Sequence, residues 1–208
     1  MSRPNPKPRF QRQLADARRQ ALIEAAIASL KRHGHQGLSV RSIAAEAGVS
    51  LGLINHHFPN KEVLVAEAYS CFHRKLIDVH VQAVARAGSN ASAHAQLRAF
   101  FKSTFSPPNL DRDVLTAWIV FWGMHRHSQE IQRVHEETYR AYVNLLRSML
   151  ARLARESGKL RMSLRNAATG LTALLDGLWL EWCLEPENFT PQEAIRICEA
   201  WIDGLRPV

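Results

Sequence analysis

The chain has 208 residues, 46% of them apolar, enough for one well-buried core or for a small domain joined to a larger one. No apolar run reaches the roughly 18 residues that a bilayer span needs, and the opening MSRPNPKPRF lacks the apolar centre of a secretory signal, so a cytoplasmic protein is expected. The formal net charge of +8 is unevenly spread: residues 1–61 hold ten Lys/Arg against three Asp/Glu, and residues 62–208 hold seventeen against sixteen. Such asymmetry is the footprint of a surface that meets phosphates.

Residues 1–11, with three prolines and Arg3, Lys7 and Arg9, are expected to form a flexible basic arm. An arm of this kind can reach into a DNA minor groove. A helix is predicted from about Arg12 to His33, where Leu14, Ala21, Leu22, Ala25, Ala26 and Leu30 recur near a 3.6-residue period and Gly34 stops it. Gly34 and Gly37 bracket a turn. Ser39 is a helix cap, and Ile43, Ala44 and Ala47 then give one apolar side to a short helix. Gly48 provides the sharp turn, and Ser50 caps a second short helix that runs to about His57. Two short helices joined by a glycine turn read as a helix-turn-helix over residues 39–58, whose second helix can enter the major groove. Pro59 and Asn60 break the chain before a long helix from about Lys61 to Ala87. Further helices are expected over about 93–105, 111–125, 129–156, 163–184 and 191–205, the last capped by Thr190 with Pro191 at its first position. In the third of these, the helix over 129–156, Ile131, Val134, Tyr139, Tyr142, Leu145, Leu146, Met149, Leu150 and Leu153 trace the expected buried side. No segment alternates like a strand, so the predicted fold is all-α, with nine helices. The expected organisation is a basic arm over 1–11, a DNA-binding module over 12–60, and a ligand-sensing and dimerisation portion over 61–208.

Within the motif, Arg41, Ser50, Leu51, Gly52, Asn55 and His56 are expected to face the groove, with Asn55 able to offer a bidentate edge to adenine. Gly52 lets a backbone or phosphate come close, while His57 and Lys61 are candidates for holding phosphates. The run Gly48-Val49-Ser50-x-Gly52-x-x-x-His56-His57-Phe58-x-x-Lys61-x-x-Leu64 resembles the DNA-binding signature of the tetracycline-repressor (TetR) family. Many members carry Tyr where this chain has Asn55, so the contact made there differs. The resemblance covers residues 12–64 and implies a repressor that binds double-stranded operator DNA and is released by a small effector.

The second portion holds aromatic groups that need a reason. Trp118 and Trp122 are i, i+4 on one helix with Phe121 beside them, and Trp179 and Trp182 are i, i+3 on another. Asp176 sits inside the apolar run LLDGLWL, where it must be paired, solvated or placed to meet a cation. Two readings stand: tryptophans in the core with Asp176 paired to an arginine, or an aromatic pocket with a carboxylate, suited to a quaternary ammonium. The stretches Ala117-Trp118-x-x-Phe121-Trp122 and Ala173-Leu174-Leu175-Asp176-Gly177-Leu178-Trp179-Leu180 resemble the choline-responsive BetI branch of the same family. That resemblance implies a homodimer joined through its last two helices, and release by choline in control of glycine betaine synthesis. The ligand-binding candidates are Trp118, Phe121, Trp122, Asp176 and Trp179. Leu171, Leu174, Leu175, Leu178, Ile195, Cys198 and Ile202 give the last two helices more apolar surface than one chain normally covers, and are expected at a two-fold interface.

Other classes fit less well. Cys71, Cys183 and Cys198 share no close spacing, which speaks against a disulfide framework or a metal ribbon. His125-x-His127 with His135 is the best histidine group, but positions 125 and 127 do not share a helix face. No catalytic residue, cofactor or metal is therefore expected. An architectural DNA protein would need only the basic module.

Overall fold

The structure is a computed structural model that describes residues 9–206, with side chains from residue 13 onward. The first eight positions of the expected basic arm lie outside the described residues. Among the described residues the chain is helical throughout: α1 (Arg9–His33), a 3-10 turn (Gly34–Leu38), α2 (Val40–Ala47), α3 (Leu51–His57), α4 (Lys61–Arg86), α5 (Ala93–Thr104), α6 (Arg112–His125), α7 (Gln129–Ser157), α8 (Leu164–Leu184) and α9 (Pro191–Gly204). α1 begins three residues before the expected Arg12, because nothing in Arg9, Phe10 or Gln11 opposes a helix. No helix among the described residues is long and apolar enough to cross a membrane.

Two of the three predicted caps hold, and the third, Ser50, stands at the N-cap of α3 without a side-chain cap hydrogen bond. Ser39 accepts from the Ser42 amide at 3.0 Å and opens α2. Gly48 closes α2 with φ 64°, a left-handed conformation in which a side chain is strained. Thr190 and Glu193 form a reciprocal capping box at the start of α9, with Pro191 at the first turn. Asn60, expected only as part of the break before the long helix, caps α4 by accepting from Val63 N–H at 2.9 Å.

The chain packs as two compact units, Met1–Phe72 with Thr116–Gln132, and His73–Leu115 with Arg133–Val208. In the first, Leu22, Ile23 and Ala26 of α1 meet Ile43 and Ala44 of α2, Ile54 and Phe58 at α3, and Leu64, Ala68 and Cys71 of α4. The 3-10 turn is pinned on α1: Ser29 Oγ donates to Gly37 O at 2.9 Å, and a Cβ at Gly37 would lie 2.1 Å from Ser29 O. Only glycine allows that approach. Tyr69 and Phe72 pack edge-on and tilted against Trp118 and Phe121.

In the second unit α9 packs on α5 and α8. Arg98 pairs with Glu199 at 2.9 Å, and His94 approaches Asp203 at 3.4 Å. Leu171, Leu175, Cys198 and Ile202 are completely buried in this core, which corrects their expected place at a two-fold interface. Both sides of α8 are apolar, and its own chain takes the side on which these residues lie. The exposed apolar groups of the last two helices are instead Leu184 and Ile197, beside the small residues Ala173, Gly177 and Ala200. On α7 Thr138 is buried where Tyr139 was expected, and Tyr139 stands 41% exposed.

Candidate nucleic-acid and effector sites

α3 buries Ile54, with Phe58 buried just beyond its end, and turns Leu51, Gly52, Asn55 and His56 outward. These four lie at i, i+1, i+4 and i+5, one face of the helix. Ser50 at the N-cap and Arg41 in the first turn of α2 are also exposed, while His57 and Lys61 are half-buried. All eight DNA-binding candidates thus belong to the first unit. A Cβ at Gly52 would meet no protein atom nearer than Ser50 Oγ at 3.9 Å, so nothing within the chain requires glycine there. Burial, then His56, Arg19 and Arg18, push His57 below its ordinary range, so at neutral pH it is a neutral N–H donor.

Arg19 fixes the end of α3. Its guanidinium donates to His57 O at 2.6 Å, pairs with Glu67 of α4, and lies 4.2 Å over the Phe58 ring. One side chain of α1 therefore ties the reading helix to the start of α4.

The second unit has a polar interior. Seven of the eight buried polar residues among those described, His73, His80, Ser103, Thr104, Asn109, Thr138 and Thr172, lie in it. That concentration marks an interior shaped around more than apolar packing. Ser103 Oγ gives its proton to Phe100 O at 2.7 Å, so it accepts from Nδ1–H of His80, also at 2.7 Å. His80 Nε2 is then the bare nitrogen, facing Asn109 Nδ2 at 3.3 Å. Burial first, and His73 second, push His80 down to about 4, which keeps it neutral. The Trp179 indole donates to the Asn109 carbonyl at 3.0 Å. Asn109 Oδ1 and Thr172 Oγ1, both buried, have no hydrogen-bond partner among the described residues. A buried polar atom left this way costs about 1–3 kcal/mol.

Asp176 is exposed and pairs with no basic side chain among the described residues, so the reading in which an arginine neutralises it is set aside. Surrounding protein nevertheless pushes its carboxyl up to about 6 by desolvation. Desolvation, and secondly the charge of Asp176, raise the phenols of Tyr139 and Tyr142, so both tyrosines lie within its field. Trp179, one turn along α8, is buried. The other three ligand candidates belong to the first unit: Phe121 is buried, Trp118 packs on Tyr69 and Phe72, and Trp122 keeps 39% of its surface open.

Residues 22–68 match the family described as bacterial regulatory proteins, tetR family, and residues 93–207 match the BetI-type transcriptional repressor, C-terminal family. The chain belongs to the TetR family. Within it, this is a repressor with a BetI-type C-terminal domain. The HTH-type transcriptional regulator BetI of Yersinia pestis (strain Pestoides F) is 34% identical over 187 residues, 89% of this chain and 91% of that one. BetI of Paraburkholderia phymatum is 30% identical over 193 residues, 92% and 94% of the two chains. Among solved structures, a transcriptional regulator from Pseudomonas aeruginosa PAO1 superposes with TM-score 0.84 at 47% identity, covering 97% of this chain and 96% of its own. A transcriptional regulator from Saccharomonospora viridis, solved in complex with choline, shares the fold with TM-score 0.74 at 22% identity, over 89% and 95% of the chains.

For a TetR repressor the helix-turn-helix is legible from its caps and its glycine. Arg19, Asn109, Tyr139, Tyr142 and His80 carry no such local signal. Arg19 looks like one more phosphate-seeking cation, and Asn109, just after Pro107-Pro108, looks like a turn residue.

Proposed function

We propose that this repressor holds a palindromic operator as a two-fold dimer in the cytoplasm and leaves it when a small quaternary ammonium, choline or a close relative, binds the sensing portion, in control of glycine betaine synthesis. The reading divides labour between a DNA-binding module over 12–60 and a sensing and dimerisation portion over 61–208. The observation that carries the effector class is Asp176: a partly desolvated carboxylate with no basic partner among the described residues and with Tyr139 and Tyr142 in its field. A cation would supply the missing countercharge, and aromatic faces attract a quaternary ammonium by their quadrupole. The polar interior speaks against a long acyl effector, which would want an apolar lining. Trp179, one turn along α8 from Asp176, is the tryptophan of the same unit.

On DNA, Arg41, Ser50, Leu51, Gly52, Asn55 and His56 would read the groove. His57 would give a neutral hydrogen bond to a phosphate, and Lys61 a charged one. Two modules, one helical turn (~34–36 Å) apart, are needed for a full site. The open apolar positions of α8 and α9, Leu184 and Ile197, with Ala173, Gly177 and Ala200, are the surface proposed to join the two copies.

Calorimetry with choline, betaine aldehyde and glycine betaine tests the reading, on wild type, Trp122→Ala and Asp176→Asn, with operator affinity measured with and without ligand. Binding that weakens with Asp176→Asn and lowers operator affinity is expected. No heat from any of the three at millimolar concentration removes the choline reading, and binding without a change in operator affinity removes the switch.

A further inference from the structure

We propose that Asn109 reads the hydroxyl end of the effector, so that the sensor selects a cation carrying a hydrogen-bond donor over one ending in an ether or a carboxylate. The inference rests on the quaternary-ammonium reading above and adds the second end of the ligand.

The contacts of Asn109 link it, within the second unit, to the residues around Asp176. Its Nδ2 donates to Ser103 O at 3.1 Å and faces His80 Nε2 at 3.3 Å. The His80 ring stands 6.3 Å from that of Tyr142. Tyr142 lies in the field of Asp176, and one turn beyond Asp176 on α8 the Trp179 indole returns to the Asn109 carbonyl at 3.0 Å. Asp176 and Tyr139 are the exposed members of this group and Asn109, 5% exposed, is a deep one. A ligand entering past the carboxylate with its cation outermost would lead with its other end towards Asn109.

The orientation of the amide is fixed by chemistry. Turned over, Oδ1 would face the Ser103 carbonyl, two acceptors in opposition, and Nδ2 would lose that partner. In the orientation that satisfies Nδ2, Oδ1 is an acceptor with no donor among the described residues. Thr172, one turn before Asp176 on α8, adds a second buried polar atom in the same position, its hydroxyl unpartnered among the described residues. Choline ends in a hydroxyl, which donates. Its methyl ether has no proton to give, and glycine betaine ends in a carboxylate that would oppose Oδ1. A site built to hydrogen-bond a hydroxyl discriminates strongly against the analogue that lacks it, because a buried polar group is then left unmade.

The test uses the intact protein and a ligand series, so it does not depend on a variant folding. Isothermal titration of wild type with choline, (2-methoxyethyl)trimethylammonium and glycine betaine is expected to rank choline at least about tenfold tighter than either, about 1.4 kcal/mol. Asn109→Leu, checked by its melting curve and by operator binding, is expected to bring choline down to the level of the ether while leaving the ether unchanged. Equal affinity of wild type for choline and its ether overturns the assignment of Asn109 and leaves the cation reading standing. Failure of all three ligands on protein that still binds operator overturns both.

Discussion

Arg19→Ala separates a residue that positions the reading helix from one that touches DNA. The substitution removes a charge-assisted hydrogen bond to His57 O, a pair with Glu67 whose partners are 33% and 35% exposed, and a guanidinium over Phe58. A hydrogen bond to a charged group contributes about 1.5–3 kcal/mol. A half-exposed pair adds about 0.2–1 kcal/mol and the ring contact about 0.5–1 kcal/mol. These terms share one side chain and do not add fully, so a loss of about 2–4 kcal/mol in the stability of the first unit is expected. Urea unfolding followed by circular dichroism measures it. Operator affinity should fall as well, because the last turn of α3 loses its tether to α1. The dependence of that affinity on salt should keep its slope, since Arg19 is turned inward onto protein groups. Arg19→Lys keeps the charge but not the fork, and should recover only part of the stability. Unchanged stability in Arg19→Ala, or a salt slope reduced by about one, would show that the guanidinium serves a phosphate and that the tether is incidental.

Lys61→Ala should weaken binding to all DNA sequences and lower the salt slope by about one in a fluorescence-anisotropy titration, whereas Asn55→Ala should relax preference at one base pair by about 1–3 kcal/mol. Choline affinity should fall about tenfold from pH 7 to pH 5, because a cation prefers the ionised carboxylate and Asp176 takes up its proton at about 6; Asp176→Asn should flatten that profile in calorimetry. The opposite sign applies to fold stability: a carboxyl raised above its unfolded value favours the fold below about pH 4 and loses that contribution as pH rises through 6, while His73 and His80, both pushed down to about 4 chiefly by burial, favour it above about 6.5 and lose theirs as pH falls through 4. Gly37→Ala should destabilise the first unit by several kcal/mol in thermal melts, because the added methyl meets the backbone of Ser29 at 2.1 Å, and an Ala that melts like wild type would show that the turn relaxes freely.

What the sequence made legible follows from the range over which its chemistry acts. Ser39, Gly48, Thr190 and Pro191 cap and turn helices through their nearest neighbours, so their roles can be read within a few residues. The α3 signature is equally local. Asp176 could be recognised as anomalous from its apolar run, but the absence of a basic partner among the described residues, and the presence of Tyr139 and Tyr142, depend on how α7 packs. Periodicity also fails where two faces of a helix are both apolar. On α8 it assigned Leu171 and Leu175 to a partner copy, although their own chain buries them, and on α7 it chose Tyr139 over Thr138 because a hydroxyl counts as polar until its hydrogen bond to Val134 O is seen. Arg19 was counted with the basic surface because composition cannot distinguish a charge aimed at solvent from one folded back onto a carbonyl.

The two units place their polar groups differently, and that difference bears on how a switch could work. The first unit buries one polar residue among those described, Ser29, and its hydroxyl is satisfied by Gly37. It has little to gain from a small ligand. The second unit buries seven, and among the described residues leaves Asn109 Oδ1 and Thr172 Oγ1 without hydrogen-bond partners and Asp176 without a basic partner. Each of these makes the empty state less favourable than it could be, so each is a place where a ligand of the right chemistry gains more than it would on a satisfied surface. A ligand shifts a conformational equilibrium only by the difference between its affinities for the two states. A motion that alters the distances among Asp176, Tyr142 and Asn109 changes that difference directly, and α4, which carries His80 at one end and Glu67 near the other, is continuous through both sets of residues. A coupling of about 1–3 kcal/mol corresponds to roughly 5–150-fold in operator affinity, and operator DNA must then weaken choline by the same factor. Titrating choline into the free repressor and into its operator complex measures that factor from the other side, and two unequal values would rule out a single shared equilibrium.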